Sequence, residues 1–167
     1  PRSTLFPYTT LFRSFVVYHN PKKYLSLRFY RLHPKTENVV ELIGYLNTTL
    51  FWFIFETLGN KNQGQGVLDF YMDSFLNLSV PIVISEKIID KINILKRRQI
   101  KSIFVECGLD PKSSVPISEQ IPRPLPDRKE LDDVVFDALG LTKEERMEVY
   151  RAVCQLVWNR ISKAGSV

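Results

Sequence analysis

At 167 residues, with 44% apolar and 12% aromatic side chains, the chain can bury one modest core, or a core with an appended helical unit, and its composition excludes wholesale disorder. The net charge of +5 is uneven: residues 15–105 hold 12 Lys and Arg against 7 Asp and Glu, whereas residues 106–167 hold 9 against 11. A basic surplus in the first part steers polyanions, but many soluble domains carry as much, so charge alone assigns no partner.

In chain order, residues 1–14 contain the near repeat Thr4-Leu5-Phe6 and Thr10-Leu11-Phe12. The stretch from Thr4 to Ser14 resembles the in-frame translation of a common sequencing adapter and is set aside as a leader foreign to the fold. Residues 15–19 (Phe-Val-Val-Tyr-His) and 25–33 are rich in β-branched and aromatic side chains, with Asn20-Pro21-Lys22-Lys23 between them, which predicts a hairpin with a basic tip. In its second strand Arg28 and Arg31 interrupt Leu27, Phe29, Tyr30 and Leu32; they are either solvated edge charges or contacts to phosphates and base edges.

A helix is expected over residues 37–58, capped by Thr36 and apolar almost all round in its second half. Its length raises the possibility of a membrane span, against which stand Glu41, Asn47 and Glu56 within it and the lack of a flanking basic cluster. Gly59 is placed at the C′ position, opening the polar loop Asn60-Lys61-Asn62-Gln63-Gly64-Gln65-Gly66. Its amides carry donors and acceptors suited to base edges, and Lys61 adds a phosphate contact; a plain solvated turn explains the same composition. A strand is expected over 67–72, then a turn into 79–83. Next comes a helix from Glu86 to about Phe104, capped by Ser85, with Lys87, Lys91, Lys96, Arg97, Arg98 and Lys101 on its charged face. That face is either simply solvated or held to a DNA backbone.

Five of the ten prolines fall between Asp110 and Pro126, so residues 106–126 read as an extended connector between units 15–105 and 127–167. Beyond it Asp127 caps a short helix ending at Leu139-Gly140, and Thr142-Lys143-Glu144-Glu145 is a capping box for a helix to about Ala164. Met147, Tyr150, Cys154, Val157, Ile161 and Ala164 form a seam on it that packs on another helix, of this chain or of a partner. The expected fold class is α+β: a small mixed sheet and hairpin domain with a buried central helix, then a proline-rich linker and a C-terminal helical hairpin.

The chemistry the sequence offers is limited. His19 and His33 lack a Cys, Asp or Ser constellation for a triad or a metal site. Cys107 and Cys154 lie far apart without a CxxC, which predicts a reduced, cytoplasmic protein with neither disulfide nor zinc.

Several runs carry a family resemblance: residues 15–24 followed by Arg28-Phe-Tyr-Arg31, then Tyr45-Leu-Asn-Thr-Thr-Leu-Phe-Trp52, Gly64-Gln-Gly-Val-Leu-Asp69 and Asn77-Leu-Ser-Val-Pro-Ile82. In this order they resemble the C-terminal region of N6-adenine DNA methyltransferases of bacterial and archaeal restriction-modification systems, including the type IIG enzymes fused to a nuclease. Leu131-Asp-Asp-Val-Val-Phe-Asp-Ala-Leu-Gly-Leu141 with Glu144-Glu-Arg146 and Val149-Tyr-Arg151 resembles their helical ending. The resemblance covers nearly everything after Ser14. It implies a target-recognition fragment that holds double-stranded DNA against a catalytic domain of the same parent chain, where S-adenosylmethionine binds. The glycine loop for that cofactor and the Asn/Asp-Pro-Pro-aromatic motif that seats a flipped adenine do not occur here, so no catalytic or cofactor residue is carried over. The candidate DNA contacts are Lys22, Lys23, Arg28, Arg31, Asn60, Lys61, Asn62, Gln63, Gln65, Arg97 and Arg98. The alternative is a helical protein-interaction module working through the 147–164 seam.

Overall fold

The run from Val39 to Leu58 has no proline or terminal glycine to stop it, yet Asn47, Thr48 and Thr49 in its middle have short polar side chains that compete for backbone partners. In the structure, a computed structural model that describes residues 17, 38–60, 68, 73 and 85–163, the helix breaks there. Helix α1 (Val39–Leu46) and helix α2 (Thr49–Leu58) meet at a 66° bend. Thr48 makes the break by capping: its Oγ1 accepts from the Phe51 amide at 3.2 Å and donates to the Tyr45 carbonyl at 2.8 Å. Among the described residues no single helix is long and apolar enough to cross a membrane, and the residues buried on α2 (Thr49, Phe51, Trp52, Glu56) face other elements of the chain.

Helix α3 (Glu86–Leu95) buries Ile88, Ile92 and Leu95, one stripe at helical spacing. It approaches α1 closely because Gly44 has no side chain; a Cβ there would lie 3.0 Å from Ile88 Cγ1. The expected continuation to Phe104 does not occur. The backbone tightens out of the helix through i to i+3 bonds from the amides of Arg97 and Arg98, and a separate short helix α4 (Ile103–Cys107) follows. Helix α4 ends in a Schellman turn on Gly108 at φ +64°, with the Leu109 amide donating to the Phe104 carbonyl at 2.8 Å.

A 3-10 turn η1 (Ile117–Glu119) leads to helix α5 (Pro126–Ala138), whose first residue is a proline, the one helical position where a missing N–H costs nothing. Gly140 at φ +68° closes α5 as the sequence predicts, with the Leu141 amide on the Phe136 carbonyl. The capping box is also present. Thr142 and Glu145 exchange bonds of 2.8–3.2 Å at the start of helix α6 (Lys143–Lys163).

The expected α+β class is corrected: the described residues are mostly helical, with no strand or sheet among them. The predicted hairpin at 15–33 and the strands at 67–72 and 79–83 lie outside the described residues except for Val17 and Leu68, neither of which is in a strand. The helices expected over 37–58 and 86–104 are each two shorter ones. Short apolar and aromatic runs suit a buried helix as well as a strand, so composition alone does not assign a sheet. Gly59 is not left-handed either. It sits at φ −66° and ψ 144°, and it is small because Leu68 packs on it, 2.4 Å from where a Cβ would be.

The proline-rich stretch runs between elements that share one interior. One core cluster joins Trp52 of α2, Ile103, Phe104 and Cys107 of α4, and Ile117 of η1 to Phe136 of α5 and Tyr150, Val153, Cys154, Val157 and Ile161 of α6. The other joins α1, α2 and α3 to Leu131 and Val135 of α5. Within the stretch, the Arg123 and Leu125 amides donate to the Cys107 and Glu106 carbonyls, both at 3.0 Å, so it is fixed against the end of α4.

Candidate functional site

The buried polar groups converge where the α3–α4 turn meets α5. Glu106 of α4 is fully buried, and its carboxylate accepts four bonds. Oε1 takes Arg98 Nη1 at 2.7 Å and the Lys101 amide at 2.8 Å; Oε2 takes Arg98 Nη2 at 2.9 Å and Arg128 Nε at 3.1 Å. Burial alone would raise this carboxyl, but the Arg98 bonds and the Arg128 charge outweigh it and hold the group below the usual carboxylate range. Asp127, at the first turn of α5, is likewise held low, first by its bonds from Arg98.

Arg98 spends every donor of its guanidinium inside the protein. Beyond the two bonds to Glu106, Nε and Nη2 reach Asp127 at 2.5 and 3.0 Å, and Nη1 also reaches the Gln99 carbonyl at 3.1 Å. No N–H is left for a phosphate. The sequence places Arg98 as a neutraliser of the DNA backbone; the structure makes it the anchor of the turn.

Arg128 extends the network inward. It is fully buried and donates through Nη1 to the Asn47 carbonyl at the α1–α2 break. The Asn47 side chain in turn holds the backbone of Val17, accepting from its amide at 3.1 Å and donating to its carbonyl at 2.9 Å. One connected set of bonds therefore runs from Val17 through Asn47, Arg128 and Glu106 to Arg98 and Asp127.

The neighbours of Arg98 face the other way. Lys96, Arg97 and Lys101 are exposed, and none is ion-paired to a described residue. Two further cations of the predicted face differ: Lys87 is exposed, and Lys91 bonds Glu130 of α5 at 2.9 Å. The result is a turn with three solvent-facing cations within six residues, fixed from below by a buried carboxylate.

Of the other sequence-predicted contacts, Asn60 is half-buried just past α2. Lys22, Lys23, Arg28, Arg31, Lys61, Asn62, Gln63 and Gln65 lie outside the described residues. Among the described residues no group of His, Cys, Asp and Glu is arranged to hold a metal ion.

Two other buried polar sites hold helices together. Asp132 accepts from the Thr49 amide at 2.7 Å, Thr49 Oγ1 at 2.6 Å and Tyr150 Oη at 3.1 Å, and burial raises its carboxyl despite the nearby Arg128 charge. Arg160 of α6 grips Glu56 of α2 through two bonds of 2.6 and 3.1 Å. The described centre of the 147–164 seam is spent inside the chain: Tyr150, Cys154, Val157 and Ile161 are buried in the first core cluster, while Ala164 lies outside the described residues. Cys107 and Cys154 are both buried thiols, and burial pushes Cys107 well up from its ordinary value.

No protein-family model, curated protein or solved structure matches the chain.

Proposed function

We propose that this chain is the DNA-facing, target-recognition part of a site-specific N6-adenine DNA methyltransferase of a restriction-modification system, and that it grips the phosphate backbone of double-stranded DNA through the α3–α4 turn. Transfer of the methyl group, and the S-adenosylmethionine it needs, belong in this reading to a catalytic domain of the parent enzyme. The observation that carries the DNA-facing role is the turn itself: Lys96, Arg97 and Lys101 are exposed and unpaired among the described residues, while Arg98 between them is anchored inward. Exposed cations on a fixed backbone meet phosphates without first giving up an internal partner, and the resemblance of residues 15–82 and 131–151 to those methyltransferases supplies the identity of the polyanion. The interaction-module alternative is weaker, because the seam it needs is buried on α2, α4 and η1.

The test is a salt titration of duplex binding by the full chain, beside a triple variant with Lys96, Arg97 and Lys101 changed to Ala. Binding that falls with salt, with a log–log slope about 2–3 smaller in the triple variant, is the expected result, since each lost phosphate contact removes about 0.9. A folded chain that binds no duplex at low salt refutes the proposal.

A further inference from the structure

We infer that Glu106, a buried acid, is a positioning residue for DNA-backbone binding: it promotes the binding of a polyanion by fixing the cationic turn above it. The inference deepens the proposed function and rests on that reading. Four donors converge on Glu106, and three of them belong to the turn: the two Nη groups of the Arg98 fork and the Lys101 backbone amide. The fourth, Arg128 Nε, ties the same carboxylate to the α1–α2 break. Both Glu106 oxygens are saturated, so no neutral side chain of this size replaces it. Gln presents one acceptor oxygen and an NH2 group facing Arg98 and Arg128, which are themselves donors.

Simple charge counting predicts the opposite sign for removal of Glu106. Removing a negative charge near three cations strengthens the attraction for phosphate if charge alone matters. If Glu106 acts by holding Lys96, Arg97 and Lys101 in place, the same change releases the turn, and the cations must then be ordered at the moment of binding, which weakens it.

The experiment compares duplex affinity and salt slope for the full chain, Glu106→Gln and Glu56→Gln, all measured well below their unfolding temperatures. Glu56→Gln is the matched control: it also removes one buried carboxylate from an arginine and raises net charge by the same amount, but at the α2–α6 contact. The expected result is that Glu106→Gln binds roughly fivefold or more weakly with a smaller salt slope, as contacts are lost, while Glu56→Gln binds at least as tightly as the parent. Arg98→Lys gives a second line should Glu106→Gln fail to fold: it leaves net charge unchanged but cannot make the five-bond anchor, and is expected to weaken binding likewise. Binding by Glu106→Gln or Arg98→Lys as tight as the parent overturns the inference and leaves the proposed function standing, and equal weakening in Glu56→Gln reduces Glu106 to a general structural role. A parent chain that binds no duplex overturns both.

Discussion

Replacing Gly108 by Ala tests the architecture beneath the turn, and a second glycine supplies its own control. Both Gly108 and Gly140 are left-handed, at φ +64° and +68°. That conformation costs an L-residue about 1 kcal/mol, so Gly140→Ala, with nothing within 4 Å of the new Cβ, is expected to lose about that much. At Gly108 the Cβ falls 2.0 Å from the Arg123 carbonyl oxygen and 2.5 Å from its carbon. These are backbone atoms and cannot rotate aside. Moving them adds an overpacking cost of about 1–3 kcal/mol and strains the bonds from the Arg123 and Leu125 amides, each contributing about 1 kcal/mol. The sum is about 3–5 kcal/mol for Gly108→Ala. Urea unfolding followed by far-ultraviolet circular dichroism, with a slope of about 2 kcal/mol per molar, places the Gly108→Ala midpoint about 2 M below the parent and the Gly140→Ala midpoint about 0.5 M below. A Gly108→Ala chain that does not fold in buffer, beside a folded Gly140→Ala, meets the same expectation. Equal midpoints for the two variants refute the claim that residues 121–125 pack on the end of α4.

Three more outcomes follow from the buried polar groups. Tyr45 Oη is buried without a hydrogen-bond partner among the described residues, and burial pushes it up to about 12; Tyr45→Phe is therefore expected to be neutral or stabilising by about 1 kcal/mol, whereas Tyr150→Phe, which takes a donor from Asp132, costs about 1–2 kcal/mol in the same urea assay. Glu56→Ala removes both bonds that Arg160 makes to the Glu56 carboxylate and costs about 2–3 kcal/mol in thermal melts. In acid, Glu106 and Asp127 are held low in the folded chain, so their stabilisation is present above their unfolded values of about 4.3 and 3.9 and is lost as pH falls through the folded ones. Asp132 is raised and opposes them, its contribution fading as pH rises, so urea midpoints between pH 5 and 3 decline less steeply in Glu106→Gln and more steeply in Asp132→Asn than in the parent.

What was legible in the sequence was local. The Thr142–Glu145 capping box and the Gly140 helix end are settled by residues within five positions of one another, and the structure has both. The 147–161 periodicity announces a packed helix, but spacing does not name the partner, which is α2 together with α4 and η1. The break at Asn47 has a signal in the consecutive short polar residues Asn47-Thr48-Thr49, but the apolar residues continue on both sides, so periodicity alone predicts one unbroken helix. The expected sheet finds no support among the described residues, and aromatic and β-branched composition alone does not assign one, because it describes burial as much as it describes strands.

At the candidate site the decisive partners lie far apart in the chain. Lys96, Arg97, Arg98 and Lys101 are equivalent as a charge run, and what separates them is Glu106, eight residues beyond Arg98, and Asp127, twenty-nine beyond it, brought there by the end of α4 and the start of α5. The residue types agree with the division of labour in the fold. The one inward position carries an arginine, whose planar fork alone can meet two carboxylates and a carbonyl together, and a lysine there has too few donors in the wrong geometry. The outward positions carry both lysine and arginine, as suits contacts that need a positive charge near a phosphate and no fixed geometry. A buried charge demands shape, because desolvation is repaid only by complete pairing, whereas an exposed charge demands reach. In a run of like charges, an arginine is the first member to test for a partner inside the protein, and of the two arginines here Arg98 is the one that Glu106 and Asp127 hold.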